Sequence, residues 1–103
     1  KQIYICEDTI TGIYSALHDA GKNAEYAGGC RTEGEDTAAA FCEYRIVEES
    51  EEKALRLERM IKHHLGYNAY WEIYHALLST DDRKGTVVFE VLQEARKSGR
   101  VKR

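Results

Sequence analysis

Three consecutive residues near the start of the chain, Cys6, Glu7 and Asp8, have side chains that can do chemistry. They stand where a predicted strand runs into a predicted helix. A thiol beside a helix N-terminus can have a lowered pKa and act as a nucleophile. The same residues also fit a buried strand cysteine followed by a helix-capping aspartate. The sequence favours this second interpretation, because no single histidine is clearly placed to act as a base.

Carboxylates supply a second chemical possibility. Glu7, Asp8 and Asp19 would suit metal binding or general acid–base catalysis if the fold brought them together. Spacing alone does not require that, and helix capping and solvation explain the same charges equally well. Cys6 and these three carboxylates are therefore weak catalytic candidates, and the sequence favours a chain that is not an enzyme on its own.

The histidines predict no metal site. His63 and His64 are adjacent, and neighbouring residues on a helix point about 100° apart. His75 completes no recognised zinc-binding spacing with them. The sequence also contains neither a phosphate-binding loop motif nor a GxSxG serine motif. We therefore expect no cofactor.

Charge is distributed unevenly along the chain. Residues 1–52 have a net charge of −8 and residues 53–103 a net charge of +5, which gives −3 for the whole chain. A basic half keeps DNA among the candidate partners, whereas the average alone would argue against it. Cations near the C-terminus can contact phosphates, but the simpler interpretation is that they favour a helix end and solvate a tail. The candidate nucleic-acid contacts are Lys84, Arg96, Lys97, Arg100, Lys102 and Arg103.

Aromatic residues concentrate in the segment 67–74, which is predicted to be helical. Rings beside a basic surface can stack on bases. They can also form core or a subunit interface, which the sequence favours. Tyr70, Trp71 and Tyr74 are the candidate interface residues, and a homodimer is one expectation.

The periodicity of apolar residues predicts the elements that hold these side chains. A strand over 2–7 has apolar residues on both faces, which is typical of a central strand. Asp8 or Thr9 then caps a helix that ends at Gly21. The region 22–40 predicts a variable loop or insertion.

A second strand is predicted over 41–47, with Cys42, Tyr44 and Ile46 on its better buried face. Ser50 caps the next helix, and two more helices follow. We therefore expect a single α+β domain over 1–103, with a small two-stranded sheet and about four helices in the order β-α-β-α-α-α.

Composition excludes several classes of protein. Hydrophobic residues make up 43% of the chain, which argues against disorder. No apolar run approaches the ~18 residues of a membrane span, so no membrane partner is expected. Three cysteines and the absence of a secretion signal favour reduced thiols and a cytoplasmic protein.

Residues 3–20 resemble the start of a bacterial family of DNA metabolism proteins. The family pattern is close to Y-x-C-E-D-x-x-x-G-I-(F/Y)-x-A-(I/L)-x-D-A, and the stretches 43–54 and 76–85 also match. The family's Cys-Glu-Asp, Gly and Asp-Ala positions fall on Cys6, Glu7, Asp8, Gly12, Asp19 and Ala20.

The resemblance implies an accessory role in DNA repair or modification. Some family members are similar to the N-terminal part of fusions with a uracil-DNA-glycosylase-type domain, and others are encoded beside a radical-SAM protein. Either enzyme type is therefore an expected partner. Family members usually continue into a further aromatic and basic region, so we expect this chain to be a truncated form of a longer domain, the alternative being a short member of the family. The alternative is a protein-interaction or dimerisation module that does not contact nucleic acid.

Overall fold

The computed structural model describes residues 2–23, 27–32, 43–81 and 83–97. Its elements are β1 (Gln2–Cys6), α1 (Ile10–Lys22), β2 (Ala27–Thr32), β3 (Glu43–Ile46), α2 (Glu51–Leu65), α3 (Tyr67–Leu77) and α4 (Lys84–Lys97). The predicted α+β class is confirmed.

The predicted two-stranded sheet is wrong. The sheet has three strands in the order β2-β1-β3, and β1 pairs in parallel with both neighbours. The element order is therefore β-α-β-β-α-α-α. The additional strand, β2, lies inside the region 22–40 that was expected to be loop. Its sequence, AGGCRT, has no apolar alternation. Backbone pairing with β1, such as Tyr4 with Cys30, defines it instead.

β1 is buried on both faces, as its apolar pattern predicts. Ile3 and Ile5 are 5% and 9% exposed, and Tyr4 and Cys6 are each 2% exposed. β3 lies within the predicted second strand, but its predicted buried face is wrong. Ile46 is 80% exposed because, among the described residues, no helix packs extensively against β3, whereas α1 and α4 both pack against β2. Cys42 lies outside the described residues.

α1 begins where the sequence predicts. Thr9 is its N-cap, and the Thr9 hydroxyl accepts a hydrogen bond from the Gly12 N–H at 2.9 Å. Its apolar stripe is buried among the core residues, including Ile13 and Leu17. The predicted stop at Gly21 is wrong by one residue, since the helix continues to Lys22.

The remaining helices each bury one side, with Leu57 and Ile61 buried on α2 and Ile73 and Leu77 buried on α3. Ser50 caps α2, and Gly66 ends it with a φ of +90°. α1 packs against the sheet and against α2, whereas α3 contacts α2 and α4. α4 packs against β2. Among the described residues, no helix is both long and apolar enough to cross a membrane.

Candidate functional site

The carboxyl ends of β1 and β3 form the first candidate ligand site. The chain places β2 on one side of β1 and then crosses to place β3 on the other side, so the strand order reverses at β1. In parallel sheets, ligands bind outside the carboxyl ends of the strands at such a reversal. Cys6, Glu7 and Asp8 lie at this point, so three of the four catalytic candidates are neighbours there. We call the segment 6–9, with the residues that contact it, the carboxyl edge.

The strongest charge contact at the carboxyl edge is an ion pair between Asp8 and Lys84. The Lys84 Nζ lies 2.7 Å from the Asp8 Oδ1 and donates to the Ser79 carbonyl at 2.9 Å. The Lys84 side chain is 8% exposed and that of Asp8 is 61% exposed. The ammonium therefore ties the start of α4 to the loop after β1. Lys84 is one of the predicted nucleic-acid contacts, but its ammonium is buried and already paired with Asp8.

Backbone and hydroxyl contacts close the same loop. Besides capping α1, the Thr9 hydroxyl donates a hydrogen bond to the Glu49 carboxylate after β3. Gly12 lies against the loop so closely that a Cβ there would be 2.7 Å from the Glu7 carbonyl oxygen. These contacts leave Thr9 and Gly12 with structural roles.

Cys6 is buried, as the simpler interpretation of the sequence proposed. Its side chain is oriented into the core, and its thiol donates to the Arg31 carbonyl at 3.6 Å. A nucleophile has to reach its substrate, and a thiol with 2% exposure does not meet that condition.

Asp19 does not join the carboxyl edge. It lies towards the opposite end of α1, where its Oδ2 is 2.8 Å from the Lys53 Nζ and its Oδ1 is 3.3 Å from the His18 Nδ1. Over the described ranges, no group of three or more His, Cys, Asp or Glu residues could hold a metal ion.

The second candidate is an aromatic cluster on α3. Tyr67 and Trp71 are 66% and 49% exposed, Tyr74 is half-buried, and Tyr70 is 4% exposed. Trp71 makes edge-to-face contacts with Tyr70 and Tyr74, at centroid distances of 5.3 and 5.4 Å. We call the four residues the aromatic surface. Tyr67, its most exposed ring, was not among the predicted interface residues, although the spacing of four from Trp71 puts both on one helix side.

A cation from α2 lies over this surface. The Lys62 Nζ is 4.6 Å from the centroid of the Tyr70 ring and 5.4 Å from that of Tyr67. Lys62 also pairs with Glu58 at 3.1 Å, and the same Glu58 oxygen accepts the Tyr70 hydroxyl at 2.9 Å. Aromatic faces and a positive charge are thus held together by one hydrogen-bonded group.

Glu58 titrates below its usual range in this arrangement. Burial alone would raise the pKa of Glu58, but the hydrogen bonds from Tyr70 and Lys62 outweigh it and lower the pKa. Burial and the Glu58 hydrogen bond together raise the pKa of Tyr70. Glu58 therefore stays ionised and keeps Lys62 beside the rings.

The C-terminal cations are only partly described. The Arg96 guanidinium donates to the Gly21 carbonyl at 3.1 Å and to the Gln93 side chain at 3.2 Å. Lys97 is 76% exposed and lies 3.8 Å from Glu94. Arg100, Lys102 and Arg103 lie outside the described residues, so their contact with nucleic acid stays a prediction.

Comparison with known proteins returned no family model, curated protein or solved structure that matches this chain. The resemblance to DNA metabolism proteins therefore stays a prediction. The geometry favours the aromatic surface over the carboxyl edge, because Tyr67 and Trp71 are exposed whereas Cys6 and Lys84 are buried and already bonded within the protein.

Proposed function

We propose that the chain is an accessory protein of DNA metabolism that contacts single-stranded nucleic acid through the aromatic surface. The observation that carries this proposal is the exposure of Tyr67 and Trp71 on one helix, with the Lys62 ammonium over the Tyr67 ring. Exposed rings stack on unpaired bases without regard to sequence, and each stacked base contributes about 1–3 kcal/mol. A DNA repair or modification enzyme of the radical-SAM or glycosylase type is the proposed partner.

The charge of the adjacent helix supports nucleic acid as the ligand. Arg56, Arg59 and Lys62 recur every third residue along α2, which brings them to one side of the helix. Arg56 and Arg59 are exposed, although Arg56 also pairs with Glu52. Phosphates bound along this side would lie next to bases stacked on α3, and binding would weaken as salt is raised.

Trp71 provides a direct test because it is the only tryptophan in the sequence. Titration with an oligothymidylate of about 12 nucleotides is expected to quench its fluorescence at low salt, with weaker binding at higher salt. Duplex DNA of the same length is expected to bind less tightly, because its bases are already stacked.

Variants locate the contact by anisotropy of a labelled oligonucleotide. Trp71→Ala and Lys62→Gln are expected to weaken binding roughly tenfold each, which corresponds to the loss of one stacked base or one phosphate contact. Tyr44→Ala is the matched control, since Tyr44 is an exposed tyrosine on β3. Unquenched fluorescence, or equal losses in Trp71→Ala and Tyr44→Ala, would contradict the proposal.

A second candidate function is a protein-interaction or dimerisation module. Leu78, which is 58% exposed, extends the exposed apolar area at the end of α3. Tryptophan and tyrosine are enriched where proteins associate. Sedimentation distinguishes the two functions: a dimer that Trp71→Ala disperses, together with no oligonucleotide binding, favours this candidate.

A further inference from the structure

A groove between α3 and α4 lies on a different side of α3 from the exposed rings of the aromatic surface. Its apolar floor contains Ile73 and Ala95, which are 7% and 6% exposed. Val87 and Val91 of α4 form one wall and remain 45% and 49% exposed. The volume is about 590 Å³, within the usual range of binding sites.

The groove is also acidic. Glu72 stands on the α3 side, and Glu90 and Glu94 stand on the α4 side, one turn apart. Among the described residues, Glu94 is the only one of the three in an ion pair, with the Lys97 Nζ at 3.8 Å. An apolar floor between one exposed carboxylate on α3 and two on α4 is therefore presented to the solvent.

We propose that this groove binds an amphipathic basic helix of a partner protein. Apolar side chains of that helix would contact Val87, Val91 and Ile73. Lysine or arginine residues on its flanks would pair with the glutamates of both walls. Hydrophobic grooves recognise amphipathic helices through apolar anchors spaced three or four residues apart.

Charge favours a basic helix over two other occupants, a second copy of this chain and a nucleic acid. A second copy that presented the same groove would place its own glutamates against Glu72, Glu90 and Glu94, and like charges across an interface are unfavourable. Nucleic acid phosphates would be repelled in the same way. A basic partner is the one that gains from the carboxylates, so the two sides of α3 are suited to different ligands.

The proposal can be tested with a designed peptide, because the natural partner is unidentified. The probe is a fluorescein-labelled helix of about 18 residues, with leucine on one face and lysine on its flanks, which spans about 27 Å. Two matched peptides accompany it. One replaces each lysine with glutamate, and the other keeps the composition but scrambles the order so that the leucine face is lost.

We expect the wild-type protein to bind the leucine–lysine peptide and to bind the two matched peptides at least tenfold more weakly. The double variant Glu90→Lys/Glu94→Lys should lose at least tenfold in affinity. The control, Glu43→Lys/Glu48→Lys, makes the same change of charge at exposed residues of the sheet side and should bind like wild type. Val91→Asp should weaken binding with its helical circular dichroism unchanged.

Three results would overturn the proposal. Equally tight binding of the scrambled and the helical peptide would reduce the effect to net charge. An equal loss of affinity in the control variant and the groove variant would show that the groove glutamates are not the contact. A dimer that Val91→Asp disperses, in a protein that does not bind the peptide, would assign the groove to a second copy. Oligothymidylate binding by the groove variant serves as a separate readout of the aromatic surface.

Discussion

The carboxyl edge and the aromatic surface contain the two most suggestive sets of residues, and the structure treats them in opposite ways. At the carboxyl edge, Lys84 is buried against Asp8, and the Cys6 thiol is oriented into the core. On α3, Trp71 and Tyr67 are exposed although both are large and apolar. Residues of a reactive type can thus serve the fold through internal contacts, whereas exposed aromatic rings indicate a binding surface.

The largest loss of stability is expected for a substitution of Gly12 at the carboxyl edge. A Cβ at this position would meet the Glu7 carbonyl oxygen at 2.7 Å and the Thr9 hydroxyl at 2.9 Å, so Gly12→Val must displace the backbone of the loop and disturb the cap. We expect a loss of about 3 kcal/mol in the free energy of unfolding, measured by urea denaturation.

Gly21→Ala is the matched control for that substitution. The atom closest to its added Cβ is at the end of the flexible Arg96 side chain, which can move away. We expect a change within about 1 kcal/mol of wild type. Similar losses in the two variants would show that the close approach at the carboxyl edge is not required for stability.

Removing either partner of the Asp8–Lys84 ion pair should reduce stability, but by different amounts. Asp8→Asn leaves the buried Lys84 ammonium without its counter-charge, and we expect a loss of about 1–2 kcal/mol. Lys84→Met leaves Asp8, whose side chain is 61% exposed and can be hydrated, so the loss should be below about 1 kcal/mol. Both are measured by urea denaturation. A larger loss in Lys84→Met would mean that the ion pair does not govern this contact.

Sequence patterns could predict the elements whose signals are local. The Thr9 and Ser50 caps, the buried face of α1 and the two buried faces of β1 follow from residue type and spacing over a few positions. β2 could not be predicted in this way, because its pairing with β1 joins residues about 25 positions apart and its glycines carry no side-chain pattern. The exposure of β3 depends on which strands the helices cover, since α1 and α4 pack against β2 but no described helix packs extensively against β3, and no local pattern contains that information.

The candidate sites show the same limit. Asp8 and Asp19 look close in the sequence, but nine residues of α1 lie between them and separate them by about 14 Å along the helix. The contact of Asp8 with Lys84 crosses most of the chain, so adjacency in sequence could not reveal it. Of the predicted interface residues, Trp71 is exposed, whereas Tyr70 belongs to the core, as the alternative interpretation of the aromatic segment allowed.

A smaller effect on stability is expected from the aromatic surface itself. Trp71→Ala removes a half-exposed ring, so we expect a loss of about 1 kcal/mol, monitored by circular dichroism during urea denaturation. Ile73→Ala, on the same helix but 7% exposed, should cost about 2–4 kcal/mol. If Trp71→Ala destabilised the protein as much as Ile73→Ala, the ring would be part of the core and the contrast with the carboxyl edge would fail.

The smallest effect concerns the pH dependence contributed by Glu58. Its pKa in the folded protein lies below the ordinary value of 4.5, so the stabilisation it contributes is present above that value. The stabilisation is lost as the pH falls through the lower folded pKa, because the carboxyl group then protonates and releases Lys62 and Tyr70. Glu58→Gln should therefore be less stable than wild type near pH 7, by thermal denaturation, and the difference should shrink in acid. Tyr70→Phe removes one hydrogen bond to Glu58 and should give a smaller difference of the same sign. A difference that stays constant as the pH is lowered would show that Glu58 positions Lys62 by packing and not by its charge.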